Sequence, residues 1–229
     1  MIKKKFYKLS SSIKAEKIAT RAKNGFYTNC DDEINYKFAI MEISKALEVN
    51  DECETTYFIR GDLYSQMDGY HDQAISDFTK AIELDPNDFA KYNARGRAYL
   101  KAEKYENAIN DFTKVIEMSM STLLMDSSSV FEERGFAFLK CGFFGKAISD
   151  FSESLKDSED EIKFLCRAMA LAKNDNYDGA LNDLIAASNI NGNCLKENKN
   201  FLSDFPKDFK AILFIHFPKK YLDDLNLSI

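Results

Sequence analysis

The ten residues AISDFTKAIE, Ala74 to Glu83, return 34 positions later as AINDFTKVIE, Ala108 to Glu117. Looser copies start at Ala39 (AIMEISKAL), Ala147 (AISDFSESL) and Ala180 (ALNDLIAAS). The five starting alanines stand 35, 34, 39 and 33 residues apart. Self-similarity at this period marks a stacked helical array, in which no unit buries its apolar face alone and neighbours cover one another.

Within the copy at Ala74, the residues Ala74, Ile75, Phe78, Ala81 and Ile82 fall on one stripe of an α-helix. Asp77, Lys80 and Glu83 are expected to face water. Asp85-Pro86-Asn87 stops the helix, because proline disfavours helical geometry at the residue before it. A second helical pattern follows from Phe89 to Ala102, with Gly96 in its interior. A mid-helix glycine costs about 1 kcal/mol against alanine, so it implies a close backbone crossing with the partner helix. The same slot holds Gly61 one copy earlier, Gly135 one copy later and Ala168 in the last copy.

This pattern resembles the tetratricopeptide repeat (TPR), a 34-residue helix-turn-helix unit with small and aromatic residues at set positions. Residues 89–120 carry it best, through Tyr92, Gly96, Tyr99, Tyr105, Ala108 and Phe112. Residues 55–88 supply Gly61, Tyr64, Ala74, Phe78, Ala81 and Pro86, and residues 128–160 supply Gly135, Phe138, Phe144, Ala147 and Phe151. The flanking copies, 18–52 and 161–192, are weaker. The resemblance implies an all-α fold, a right-handed α-solenoid of about five units over 18–192. A basic lead over 1–17 and a C-terminal helical cap over 193–229 flank it. The surplus in the longest interval lies in MSMSTLLMDSSS, Met118 to Ser129, read as a longer loop or an overrun of the preceding helix. In the cap, Pro206 suits a first helical turn, and Phe205, Phe209, Ile212, Leu213 and Phe217 follow at helical spacing. Covering the last face of the array is the favoured role of this helix; the rival is self-association, in which the tail reaches into a groove of its own or of a neighbouring copy.

The chain has 229 residues, 45% hydrophobic and 30% charged, with net charge −6. This fits a foldable chain rather than a disordered one. Lys3, Lys4, Lys5, Lys8, Lys14, Lys17, Arg21 and Lys23 make the first 23 residues basic against a single Glu16. The acidic remainder, without a basic stripe along any helix, argues against nucleic acid as partner. Five cysteines, Cys30, Cys53, Cys141, Cys166 and Cys194, include no C-x-x-C pair and read as apolar fillers in a reducing compartment. No apolar stretch is long enough to span a bilayer and no signal-peptide core follows the charged start, so the expected address is the cytoplasm.

Catalytic constellations are hard to find, and no enzyme is expected. The two histidines, His71 in an inner turn (read as solvent-exposed) and His216, lack a second histidine at i+3 or i+4, so no zinc site and no other metal or cofactor site is expected. Gly142-Phe143-Phe144-Gly145-Lys146 lies between helices with only two residues between its glycines, unlike a phosphate loop, and reads as an inner turn.

The TPR resemblance implies binding instead: the first helices of successive units line a concave face that holds an extended peptide or a partner helix. In that register the face carries Ala22, Lys23 and Phe26; Phe58, Ile59 and Asp62; Asn93, Ala94 and Arg97; Glu132, Glu133 and Phe136; and Leu165, Cys166 and Met169. TPR co-chaperones clamp a terminal carboxylate with lysines, asparagines and arginine. The corresponding positions here are Phe58, Asp62, Ala94, Ser129 and Glu133, so a carboxylate-clamp ligand is not expected. The expected groove residues are Phe26, Phe58, Asp62, Asn93, Arg97, Glu132, Glu133 and Phe136. With Glu132 and Glu133 beside Phe136, they suit a protein or peptide partner bearing apolar residues and a basic stretch. The function implied is a non-enzymatic scaffold. The alternative is a dedicated chaperone or adaptor for one substrate, similar to the TPR chaperones of bacterial secretion.

Overall fold

The computed structural model describes residues 13–14, 17–18, 32–49, 51–122, 127–198 and 203–216. All regular structure among them is α-helical. The chain divides into two compact units, Met1–Thr122 and Leu123–Ile229.

The first unit contains α1 (Asp32–Val49), α2 (Glu54–Ser65), α3 (His71–Leu84), α4 (Phe89–Lys101) and α5 (Tyr105–Thr122). Each helix packs on the next within a pair, α2 on α3 and α4 on α5, and the pairs stack through α1 on α2 and α3 on α4. In the second unit, α6 (Ser128–Lys140) packs on α7 (Phe144–Ser154) and α8 (Glu161–Lys173) on α9 (Tyr177–Ile190), with α7 on α8 joining the pairs. A short α10 (Cys194–Glu197) and α11 (Lys207–His216) follow, both against α9. Each unit is therefore a stack of helix pairs, the α-solenoid arrangement.

The recurring phenylalanine is the centre of each pair. Phe78, Phe112 and Phe151 are at most 1% exposed. Each lies against the glycine slot of its partner helix: a Cβ built on Gly61, Gly96 or Gly135 would sit 2.9, 2.7 and 3.1 Å from the respective ring. In the last copy the slot is Ala168, and the position equivalent to the phenylalanine is Leu184, both buried. Where the slot gains a methyl, the ring is gone. Gly96→Ala should therefore cost about 1–2 kcal/mol, overpacking outweighing the gain in helix propensity. The double variant Gly96→Ala/Phe112→Leu should lose less than the sum of the two single changes, as measured by urea denaturation.

The expectation for Asp77 is corrected. Asp77 does not face water; it is 5% exposed and takes a two-pronged hydrogen bond from Arg60, Nε to Oδ2 and Nη2 to Oδ1, both 2.7 Å. The arrangement recurs as Arg95–Asp111 at 2.8 Å, Arg134–Asp150 at 2.8 Å and Arg167–Asp183 at 2.7 Å. The remaining nitrogen Nη1 of Arg60, Arg95 and Arg167 donates to Ser44, Thr79 and Ser152 on the helix of the preceding pair, at 2.9, 3.1 and 3.1 Å. Each of these three guanidinia thus ties three helices together, because its planar fork matches a carboxylate and leaves donors to spare. Lys80 and Glu83 are exposed as expected.

The turns inside the pairs need one residue in the left-handed region. Gly142 supplies it at φ 80°, while Glu103 and Asp175 adopt φ 56° and 59° without being glycine. In these turns the amides of Lys104, Phe143 and Asn176 each donate to the carbonyl five residues back, at 2.9 Å, closing the helix end. Gly142-Phe143 lies in the inner turn, as read, whereas Phe144, Gly145 and Lys146 already open α7. His71 is not a turn residue in water; it opens α3, and its Nδ1 is buried. The surplus after Met118 goes at least in part into an overrun, since α5 continues to Thr122. At the C-terminal side, Pro206 precedes α11, whose Phe209 is fully buried with its ring 5.5 Å from Tyr177 of α9 and 5.2 Å from Phe205.

Candidate functional site

In the first unit, the first helices of the two complete pairs carry four of the expected ligand-face residues: Phe58 and Asp62 on α2, Asn93 and Arg97 on α4. Phe58 is half-buried and packs its ring on Phe78 at 5.5 Å and 51°, so it belongs in part to the core. Asp62 and Asn93 are half-buried and Arg97 is exposed. The Asn93 Oδ1 is buried without a hydrogen-bond partner. Phe26, with Ala22 and Lys23, lies outside the described residues.

In the second unit, α6 carries Glu132, Glu133 and Phe136, all half-buried. Burial raises the carboxyl pKa of Glu132, Lys163 opposes the shift and Asp160 adds to it. Lys163 does not pair with Glu132. Its ammonium donates to the Ser158 hydroxyl at 2.8 Å and to the Ser154 carbonyl at 3.3 Å, which holds it in the loop before α8. Among the described residues no cation lies within ion-pair distance of Glu132. The Oε2 of Glu133 is buried and takes no hydrogen bond. Lys140 sets its Nζ 5.2 Å from the centre of the Phe136 ring, leaving a cation and an aromatic face at the end of this row.

Cys166 of α8 faces the same carboxylates. Burial first, then Glu132 and Asp160, push its thiol up to about 12, so it is a neutral filler and not a nucleophile. Leu165, Cys166 and Met169, expected on the ligand face, are only 2%, 8% and 2% exposed. That expectation is corrected. The run EIKFLCRAMALAK is apolar nearly all round, and such a helix is buried on nearly all faces rather than lining an open one.

The Arg–Asp ladder was also readable, since an Arg-Gly or Arg-Ala dipeptide stands 17 or 16 residues before each Asp-Phe or Asp-Leu. Among the described residues no group of three or more His, Cys, Asp or Glu could hold a metal ion. No helix among them is long and apolar enough to cross a membrane.

Comparison with known proteins agrees with this architecture. Residues 54–88 and 78–110 match family models described as tetratricopeptide repeat. The small glutamine-rich tetratricopeptide repeat-containing protein 2 of Mycosarcoma maydis is 31% identical over 87 residues, 38% of this chain and 24% of that protein. The matched stretches span between 4% and 24% of the curated relatives. Among solved structures, MamA from Desulfovibrio magneticus superposes with TM-score 0.66 at 15% identity, over 78% of this chain and 94% of that one. YrrB, described as a TPR protein with an unusual peptide-binding site, superposes with TM-score 0.60 at 21% identity, over 80% of this chain and 91% of its own.

Proposed function

We propose that this chain, a tetratricopeptide repeat protein, uses α6 of its second unit to hold a peptide or helix that carries apolar residues beside a basic stretch. TPR proteins bind protein partners, and the chain is a protein–protein interaction scaffold of that kind. The finer reading rests on one observation: Glu132 is a half-buried carboxylate with no cation in ion-pair range, one turn from the half-buried Phe136. An unpaired, partly desolvated charge is costly to keep, and an incoming Arg or Lys would offset that cost while Phe136 takes the neighbouring apolar side chain. Separately, the first unit is proposed to hold a peptide segment of its own along Phe58, Asp62, Asn93 and Arg97, Phe58 taking an apolar side chain and the Asn93 carbonyl accepting from a backbone N–H. Phe26 is proposed as a further anchor on sequence grounds.

The test titrates a labelled synthetic peptide alternating leucine and arginine against the full chain, with a leucine–glutamate peptide as control. Glu132→Lys/Glu133→Lys should weaken the basic peptide at least tenfold, about 1.4 kcal/mol, and leave the acidic control no weaker. Equal binding of the basic peptide to both proteins would exclude this site.

Acidity gives a second readout. The Glu132 carboxyl titrates above its ordinary 4.5 because burial disfavours its charged form. Below the raised value it is neutral and offers a cation little, so affinity for the basic peptide should climb as pH rises through that value. The sign for the ligand-free fold is opposite. Since the folded state binds this proton more tightly than the unfolded one, the contribution of Glu132 to stability falls as pH rises from 4.5 through the raised value. Anisotropy titrations and urea melts on both sides of that window read the two trends.

A further inference from the structure

A crevice of about 410 Å³ opens in the second unit where the turn between α8 and α9 meets α11. Its walls are Asp175, Asn176, Tyr177 and Asp178, and its floor is Leu181 and Ile212. That volume lies in the lower part of the range of small-ligand sites, about 300–1,000 Å³, enough for one or two side chains. Among the described residues, the lining includes two carboxylates and no cation. Asp178 is exposed, and Asp175 accepts only a long 3.4 Å hydrogen bond from the Tyr177 hydroxyl. Asp208, on α11, is close enough to act on the same phenol. The cations on this helix are Lys207, which is exposed, and Lys210, whose ammonium is turned to the Ser203 carbonyl at 2.6 Å. The Tyr177 ring packs on Phe209 of α11, with ring centroids 5.5 Å apart.

The crevice therefore asks for an apolar or aromatic side chain flanked by positive charge. The chain itself contains such a segment. Residues 3–8 read KKKFYK: Phe6 and Tyr7 lie between Lys5 and Lys8, behind Lys3 and Lys4, and no acidic residue occurs before Glu16. We propose that the Asp175–Tyr177–Asp178 crevice is the docking site for residues 3–8 of a second copy of this chain, with Phe6 or Tyr7 on Leu181 and Ile212 and the lysines on the aspartates. The pairing is short-range and charge-steered, so it should weaken steeply with salt.

The experiment uses a fluorescent peptide of residues 1–12 and the full chain carrying Lys3→Glu, Lys4→Glu, Lys5→Glu and Lys8→Glu, so that the leads of other copies in solution do not compete. The peptide should bind saturably. Affinity should fall at least tenfold when the protein also carries Asp175→Asn and Asp178→Asn, substitutions at polar wall positions that leave the packing of Tyr177 on Phe209 in place. It should fall comparably when the peptide carries Phe6→Ser and Tyr7→Ser. Binding that is absent, or equal with and without the aspartates, would overturn the proposal. So would equal binding of the peptide lacking its aromatics, since any basic segment of another protein would then serve as well.

Discussion

Phe112→Ala should destabilise the protein by about 3–5 kcal/mol, the range for removing a fully buried aromatic side chain. The ring is 0% exposed and stands against Gly96, whose lack of a side chain leaves a slot shaped to it. Without the ring that slot has nothing to close it. The backbone of α4 cannot collapse far, because Arg95, beside Gly96, is anchored on Asp111 and Thr79. The cost should therefore lie toward the upper end, and Phe112→Leu should recover a large part of it, as Leu184 does naturally in the last copy. Urea denaturation followed by circular dichroism reads the difference. A Phe112→Ala protein as stable as the parent would refute the packing register.

Arg95→Ala should cost about 3 kcal/mol, the lower end of what breaking a buried ion pair costs. The side chain of Asp111 is 7% exposed, that of Arg95 16%. Removing the guanidinium strands a desolvated carboxylate and takes a donor from the Thr79 hydroxyl, which itself donates to the Ile75 carbonyl at 2.7 Å. The pair itself is worth much less than its breakage. Arg95→Met/Asp111→Leu removes both charges, so it should be closer to the parent than Arg95→Ala is. A surface pair of the Lys80–Glu83 kind, 46% and 59% exposed, should by contrast change stability by less than about 1 kcal/mol when broken. If Arg95→Ala behaved like that pair, the ladder would be ornament to a stack held by apolar contacts alone.

The two effects meet in one place. In the first three rungs an Arg-Gly on the first helix of a pair meets an Asp-Phe on the second, so the ring and the ion pair occupy adjacent residues; in the fourth, Arg167-Ala168 meets Asp183-Leu184. Hydrophobic packing sets how closely the helices approach; the guanidinium sets how they are turned about each other.

Periodicity made most of this architecture readable. A 34-residue recurrence with apolar residues at i, i+4, i+7 and i+8 requires stacked helices, and a repeated glycine opposite a repeated ring requires close crossing. These are local patterns, and local spacing on a helix is dictated by 3.6 residues per turn whatever else the chain does. The wrong side for Asp77 came from the same logic: the residue beside Phe78 sits just off the apolar stripe, where a lone carboxylate belongs in water. Only the arginine 17 residues earlier, brought alongside by the turn, makes burial affordable. Likewise, the closed surroundings of Leu165 and Met169, and the lack among the described residues of a cation paired with Glu132, follow from how α8 is packed and where Lys163 directs its ammonium. The sequence by itself determined that the chain is a helical repeat array and which residues form its seams. Tertiary structure decided which charges are paired, because pairing depends on distances between residues that no spacing along one helix can specify.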